Sequence, residues 1–382
     1  MLFSYAFRPF FLLGSLFAVI IVALWVMAIH APMGLPPEML YWHGHEMVVG
    51  FAMTAVAGFV LTAVATWTGR PPVSGKTLVA LVMAWLAGRL VMGFAFAVPD
   101  WVAAAIDMLF PLLLAILIGR EIILAGNRRN LVIVMIASLL AVLNLFYHLG
   151  RMGVIPGDDR IAVYLMIHLV LLLTSVIAGR IVPNFTANWL RQQGYSGRMP
   201  GSYLPLELSV LLATALTGIC AAYWPYAEAL GWLASITALL HAVRLAGWSG
   251  LATRSNPLLF VLHVAYLWFP LGYLATALST FGLWFPPSVA LHALTMGVIG
   301  MMIFAVTSRV ALGHTGRPLH ASRVIVVAYW FMMLAVIARL SGAFLNGYLT
   351  TVDVSAMFWM LAFGIFFWVY RPILLAPRAD GK

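Results

Sequence analysis

Apolar residues along this chain run in long unbroken blocks. They show neither the alternation of a strand nor the one-sided stripe of a surface helix. A helix that crosses a bilayer needs about 20 mostly apolar residues. Twelve stretches meet that requirement: 10–30, 43–66, 77–97, 100–119, 130–149, 160–182, 204–223, 227–248, 257–280, 288–310, 323–345 and 351–374. Short turns such as Arg70-Pro71-Pro72 separate them. The pattern predicts an all-α polytopic membrane protein of about twelve transmembrane helices. These spans consume most of the sequence, so residues 1–382 are expected to form a single transmembrane helical domain. The first stretch is too long for a signal-peptide core and is read as a retained helix.

Composition excludes the alternatives. Hydrophobic residues make up 64% of the chain and charged residues 8%, where soluble domains carry roughly 25% charged residues. Such a chain can neither cover a water-facing surface nor stay disordered. The one cysteine, Cys220, rules out an internal disulfide framework and a cysteine-clustered zinc or iron–sulfur site. The net charge of +10 reads as topology and a partnership with the lipid bilayer, and no nucleic-acid partner is expected. With the N-terminus inside, basic residues such as Arg70, Lys76, Arg128, Arg129, Arg254 and Arg317 fall on the cytoplasmic side. Glu38, Asp100, Asp158, Asp159, Glu228 and Asp353 then fall outside. The expected topology is N-in, C-in.

Ionisable groups within spans cost a few kcal/mol or more each, so they mark sites by default. Ten histidines against so few charges is the unusual feature of this composition. On the topology above, His43, His45, His148, His168 and His292 share a layer near the outer leaflet. Arg89, Asp107 and Arg339 are placed to approach it. His241 and His263 fall towards the inner side. Neutral imidazole suits haem iron and copper, and helical bundles build such sites from facing helices. The scarcity of carboxylates argues against magnesium or calcium. The plainer reading of a lone membrane histidine is a hydrogen bond between helices. By context His45, His168, His263 and His292 are the candidate cofactor ligands, with His43 added as a candidate metal ligand. Arg89 or Arg339 is the candidate partner of haem propionates, since a fixed guanidinium suits a carboxylate in a low dielectric. Glu46, beside His45, reads better as a group bonded to a ligand histidine than as a proton shuttle.

Two spans echo each other. His45 is followed by Gly50 and then Thr68-Gly69-Arg70-Pro71; His292 is followed by Gly297 and then Thr315-Gly316-Arg317-Pro318, at the same spacing. Either two helices present histidines at matched depth, or a common helix-stop signal simply reports the thickness of the membrane.

Several stretches resemble the NnrS family of haem- and copper-containing inner-membrane proteins. They are Phe7-Arg8-Pro9-Phe10-Phe11, Trp42-His43-Gly44-His45-Glu46-Met47, Trp67-Thr68-Gly69-Arg70-Pro71, Ala178-Gly179-Arg180-Ile181-Val182-Pro183, His292-Ala293-Leu294-Thr295 and Leu312-Gly313-His314-Thr315-Gly316-Arg317-Pro318-Leu319. The resemblance covers nearly the whole chain. It implies a bacterial inner-membrane location, haem and copper as cofactors, and a role in denitrification or protection from nitric oxide. It points to His43, His45, His168, His263 and His292 as positions to test. A looser comparison is with haem–copper oxidase core subunits, which also have twelve N-in helices with outer histidines on helices 2, 6 and 10. This chain lacks their His-His pair on helix 7 and their His-x-His on helix 10, so an oxygen-reducing pump is not expected.

The expected ligand is nitric oxide or a related small molecule, which is uncharged, enters bilayers and coordinates ferrous haem and copper. Sensing, scavenging and conversion are left open, as is the electron donor. The competing expectation is a secondary transporter, which would show repeated halves and helices broken at mid-membrane.

Overall fold

A computed structural model describes residues 1–31, 37–93, 97–155, 159–284 and 286–381, with the side chains of Pro37 and Glu38 excepted. Asp158 and the Glu38 side chain, two of the acids used above for orientation, lie outside the described residues. The chain is 81% helix, with no strand among the described residues. Among the described residues, twelve helices are long and apolar enough to cross a membrane. They are α1 (Phe7–Ile29), α2 (Met39–Thr68), α3 (Gly75–Gly93), α4 (Asp100–Leu124), α5 (Arg128–Arg151), α6 (Asp159–Gln192), α7 (Leu204–Tyr223), α8 (Glu228–Ala246), α9 (Pro257–Thr280), α10 (Pro287–His314), α11 (Arg323–Ser341) and α12 (Tyr348–Leu375). Each overlaps one stretch read from the sequence.

The largest departure is at the end of α6. The stretch read from the sequence ends at 182, yet the helix continues through Pro183 to Gln192. At 34 residues it is about 51 Å long, well beyond a hydrocarbon core of about 30 Å. Its extension is held by burial: Thr186, Ala187 and Leu190 are all buried. The Asn184 side-chain amide donates to the Arg180 carbonyl at 2.6 Å, one turn earlier, beside the hydrogen bond that proline cannot make.

The chain divides into two compact units. The first comprises Met1–Leu169, Val310–Arg317 and Phe367–Lys382. In it α2 packs on α1 and α4, α3 on α4, and α4 on α5. Arg8 explains part of the N-terminal motif. Its guanidinium is 2% exposed and donates to the carbonyls of Leu374 and Ala376 at 2.7 and 2.6 Å. These belong to the last turn of α12 and the residue after it, where carbonyls have no partner within the helix and a cation meets the negative end of the dipole.

The second unit comprises Val170–Arg309 and Pro318–Phe366. Here α8 lies between α7 and α9, and α10 packs on both α9 and α11. Its apolar core includes Phe304, whose ring meets Phe363 and Phe366 edge-on at 5.2 and 5.5 Å between centroids.

Candidate metal and charge centre

In the first unit, four spans bring seven polar side chains together. His45 and Glu46 come from α2, Arg89 from α3, Asp107 from α4, and Asn144, Tyr147 and His148 from α5. All are buried, with His45, Asp107 and Asn144 at 0% exposure. Small residues permit the approach. A Cβ on Gly88 would lie 3.0 Å from Asp107 Oδ1, and one on Gly50 3.1 Å from Arg89 Nη1. Trp85 closes the wall by donating to the Gly50 carbonyl at 2.9 Å.

The hydrogen bonds fix the charges. Arg89 donates through Nη1 to Glu46 and through Nη2 to Asp107. The Asn144 amide donates to Asp107 Oδ2 at 2.8 Å, which makes Asn144 Oδ1 an acceptor. His45 Nε2 faces that oxygen at 2.7 Å and Asp107 Oδ2 at 3.2 Å. Its Nδ1 faces Glu46 Oε1 at 2.9 Å. Both ring nitrogens meet acceptors, so the ring donates twice and carries a positive charge. Two cations then balance two carboxylates, the condition under which buried charge is tolerated. Tyr147 stacks on the His45 ring with centroids 4.4 Å apart. His148 donates from Nε2 to Asp107 Oδ2 at 2.9 Å.

The same atoms form a possible metal site. One ligand atom each from His45, Asp107 and His148 lies within 4.8 Å of the others. Two imidazoles and a carboxylate are a donor set that suits a transition-metal ion. An ion entering here displaces the proton that His45 now donates, so binding is coupled to proton release.

Two further sequence-predicted residues, His43 and His168, belong to this unit. Trp25 and His43 stack at 4.3 Å with their planes 13° apart. His168 is 7% exposed, and its Nδ1–H donates to the Tyr164 carbonyl at 2.8 Å. That bond fixes the tautomer with the lone pair on Nε2, as in metal-ligating histidines.

In the second unit, His292 repeats this arrangement: its Nδ1–H donates to the Ser288 carbonyl at 2.6 Å. Arg339 lies in the last turn of α11, which packs on α10. It is 6% exposed and donates from Nη2 to the Tyr348 hydroxyl at 2.7 Å. It makes no ion pair among the described residues, and its buried Nη1 has no hydrogen-bond partner. The two candidate arginines therefore differ in charge compensation: Arg89 is ion-paired with two carboxylates and Arg339 with none among the described residues. His263 is tied to Thr186 Oγ1 at 2.8 Å, with its Nδ1 buried and unpartnered.

The echo between α2 and α10 extends to backbone geometry. Each histidine is followed at once by a π-helical segment, Glu46–Ala52 after His45 and Ala293–Gly300 after His292. An aromatic ring packs on the glycine within each: a Cβ would meet Phe17 at 2.5 Å at Gly50 and Trp268 at 2.6 Å at Gly297. A glycine at φ 69° follows each span, Gly69 directly after α2 and Gly316 two residues after the end of α10. Membrane thickness accounts for the matched ends. It does not account for the paired π-segments, a rare geometry enriched at functional sites.

Sequence reasoning passed over Asn144 and Tyr147 and ranked His148 low. The available signal was the one-turn spacing of Asn144 and His148, which places them on one face of α5. Comparison with curated proteins returned no match. The family model described as NnrS protein matches residues 1–378. Together with twelve apolar spans and a buried histidine–carboxylate centre, that match over nearly the full length means that the chain belongs to the NnrS family.

Proposed function

We propose that this protein is a haem- and copper-binding protein of the bacterial inner membrane, N-in and C-in, that acts in the response to nitric oxide or protection from it. Family membership supports a nitric-oxide-related membrane protein and metal binding in general terms. The finer reading assigns copper to His45, Asp107 and His148. It assigns haem to a histidine anchored through Nδ1: His292 of the second unit, with Arg339 as the partner of a propionate, or, as a separate candidate iron ligand, His168 of the first unit. His43 and His263 are further positions to test. Kinship with haem–copper oxidase core subunits belongs to the same proposal.

The observation that carries the haem assignment is the uncompensated guanidinium of Arg339. A buried cation without an anion is costly, and a carboxylate-bearing ligand beside α10 supplies what it lacks. Ferrous haem and copper coordinate nitric oxide, a small ligand that reaches such a site through the bilayer. The chain's own residues hold the cofactors, exclude water and balance charge. The electron donor is a separate component.

The test is an absorption spectrum of the purified protein, oxidised and reduced, with metal analysis. A Soret band that shifts with nitric oxide, together with bound copper, supports the reading. A colourless, metal-poor preparation that moves a solute across vesicles supports a secondary transporter instead.

A further inference from the structure

Two features of the first unit's centre bear on which ion it takes. The first is charge. Imidazoles that ligate a metal are neutral. The buried charges that remain are the carboxylates of Glu46 and Asp107 and the Arg89 guanidinium, which donates to both. Two anions against one cation leave one negative charge. Arg151, at the end of α5, is paired with Asp100 at 2.8 Å and does not alter that count. Glu46, Arg89 and Asp107 are all buried, where unbalanced charge is costly. A singly charged ion therefore brings the loaded centre to neutrality, whereas a doubly charged one leaves a positive charge over.

The second feature is a sulfur atom. Met108 follows Asp107 in α4 and is buried. Pro111 has no N–H to offer the Asp107 carbonyl, and the helix is interrupted by a turn at Met108. The Met108 Sδ accepts from the Asn144 amide nitrogen at 3.3 Å. The same nitrogen donates to Asp107 Oδ2 at 2.8 Å. One amide thus holds a thioether sulfur and a carboxylate oxygen of the ligand set together. A methionine that only fills a gap in an apolar core needs no such neighbour. Thioether sulfur is a soft donor, and soft donors select copper in its cuprous state.

We propose that this centre is a site for a soft, singly charged metal ion, cuprous copper, and that the Met108 thioether ligates it beside His45, Asp107 and His148. The inference rests on the copper assignment proposed for this centre, and adds the charge of the ion and a ligand. Its two supports are independent, since one comes from three ionic side chains and the other from a neutral one. Asn144 is a positioning residue that keeps the sulfur beside the carboxylate. Copper(II) can enter the same ligands, but less tightly, because one positive charge is left over.

The test is X-ray absorption at the copper edge. It uses the full-length protein, purified in detergent and loaded with copper(I) without oxygen. Competition titrations run beside it, with silver(I) as a redox-inert monovalent probe and zinc(II) as a divalent one. Expected is a cuprous edge with sulfur bonded directly to copper. That sulfur is lost in Met108→Leu, which keeps the volume of the side chain. The same change weakens silver(I) binding by about tenfold or more and leaves zinc(II) binding as it was, a split that a packing defect does not produce. Arg89→Met leaves two carboxylates facing the ion and turns the preference towards zinc(II). Adding Glu46→Gln restores one negative charge and turns it back towards silver(I). In the native protein, a shell of nitrogen and oxygen alone, or copper(II) held as tightly as copper(I), overturns the inference while copper stays assigned to the centre. Absence of bound copper overturns both. Equal loss of silver(I) and zinc(II) in a folded Met108→Leu protein, or a preference unmoved in a folded Arg89→Met protein, overturns the inference as well.

Discussion

His45 donates to the Asn144 side-chain oxygen at 2.7 Å, and that bond decides the charge on the ring. Because the Asn144 amide is committed to Asp107, its oxygen can only accept. Glu46 accepts from the other ring nitrogen. An adjacent His-Glu pair in an apolar span thus becomes half of a neutral set of four charges.

Removing one partner from that set strands a buried charge. Arg89→Met leaves Glu46 and Asp107 without their guanidinium and is expected to cost about 3–5 kcal/mol. Adding Glu46→Gln to Arg89→Met removes one stranded carboxylate and recovers part of the loss. Thermal unfolding of the purified variants in detergent checks both. Additive destabilisation by the second change counts against the charge balance described here.

Metal loading has a proton signature. Copper(II) bound by His45, Asp107 and His148 is expected to release about one proton per ion, because the His45 ring has no lone pair until it gives one up. An indicator dye in weakly buffered detergent measures this. His148→Gln lowers affinity by about 10–100-fold, the usual scale for losing support at a metal site. Copper uptake with no proton release contradicts the assignment.

The matched glycines of α2 and α10 give a paired prediction. Gly69→Ala and Gly316→Ala each place a side chain at φ 69° and should each cost about 1–2 kcal/mol. Gly93→Ala, where a Cβ meets nothing within 4 Å, should be neutral or slightly stabilising, since Ala is the better helix former. Unfolding curves of the three single variants decide it.

Much of this organisation is legible in the sequence, and what is not has physical causes. The spans follow from unbroken apolar runs, and the echo was visible as a spacing. Its π-segments were not, because nothing in Glu46–Ala52 or Ala293–Gly300 signals an altered helical repeat before the backbone is built. The extension of α6 past 182 leaves the apolar run, and only the burial of Thr186 and Leu190 shows what holds it in the helix. His45, Arg89 and Asp107 stand out as charges in apolar surroundings. Asn144 carries no charge, and Met108 is ordinary in a membrane helix, so their roles emerge only when the helices are paired. Arg89 and Arg339 look alike as sequence and separate only when their partners are placed.

Arg339 offers opposite effects on two readouts. Without a carboxylate ligand, Arg339→Met removes an uncompensated buried cation and should leave the metal-free protein as stable or more stable. In the loaded protein the same change removes a charge-assisted bond worth about 1.5–3 kcal/mol and should lower haem retention by about tenfold or more. Unfolding of the metal-free protein and haem content after purification read the two effects separately. Loss of stability in the metal-free protein contradicts the idea that Arg339 awaits an anion.

The most direct measurement is the visible spectrum of the purified, reduced protein during titration with nitric oxide, run beside His292→Ala. Expected is a Soret band that moves on adding nitric oxide, and that is lost or strongly reduced in His292→Ala while the helical content stays intact. A native preparation with no Soret band when haem is supplied, or one whose band is untouched by both nitric oxide and His292→Ala, contradicts the proposed site.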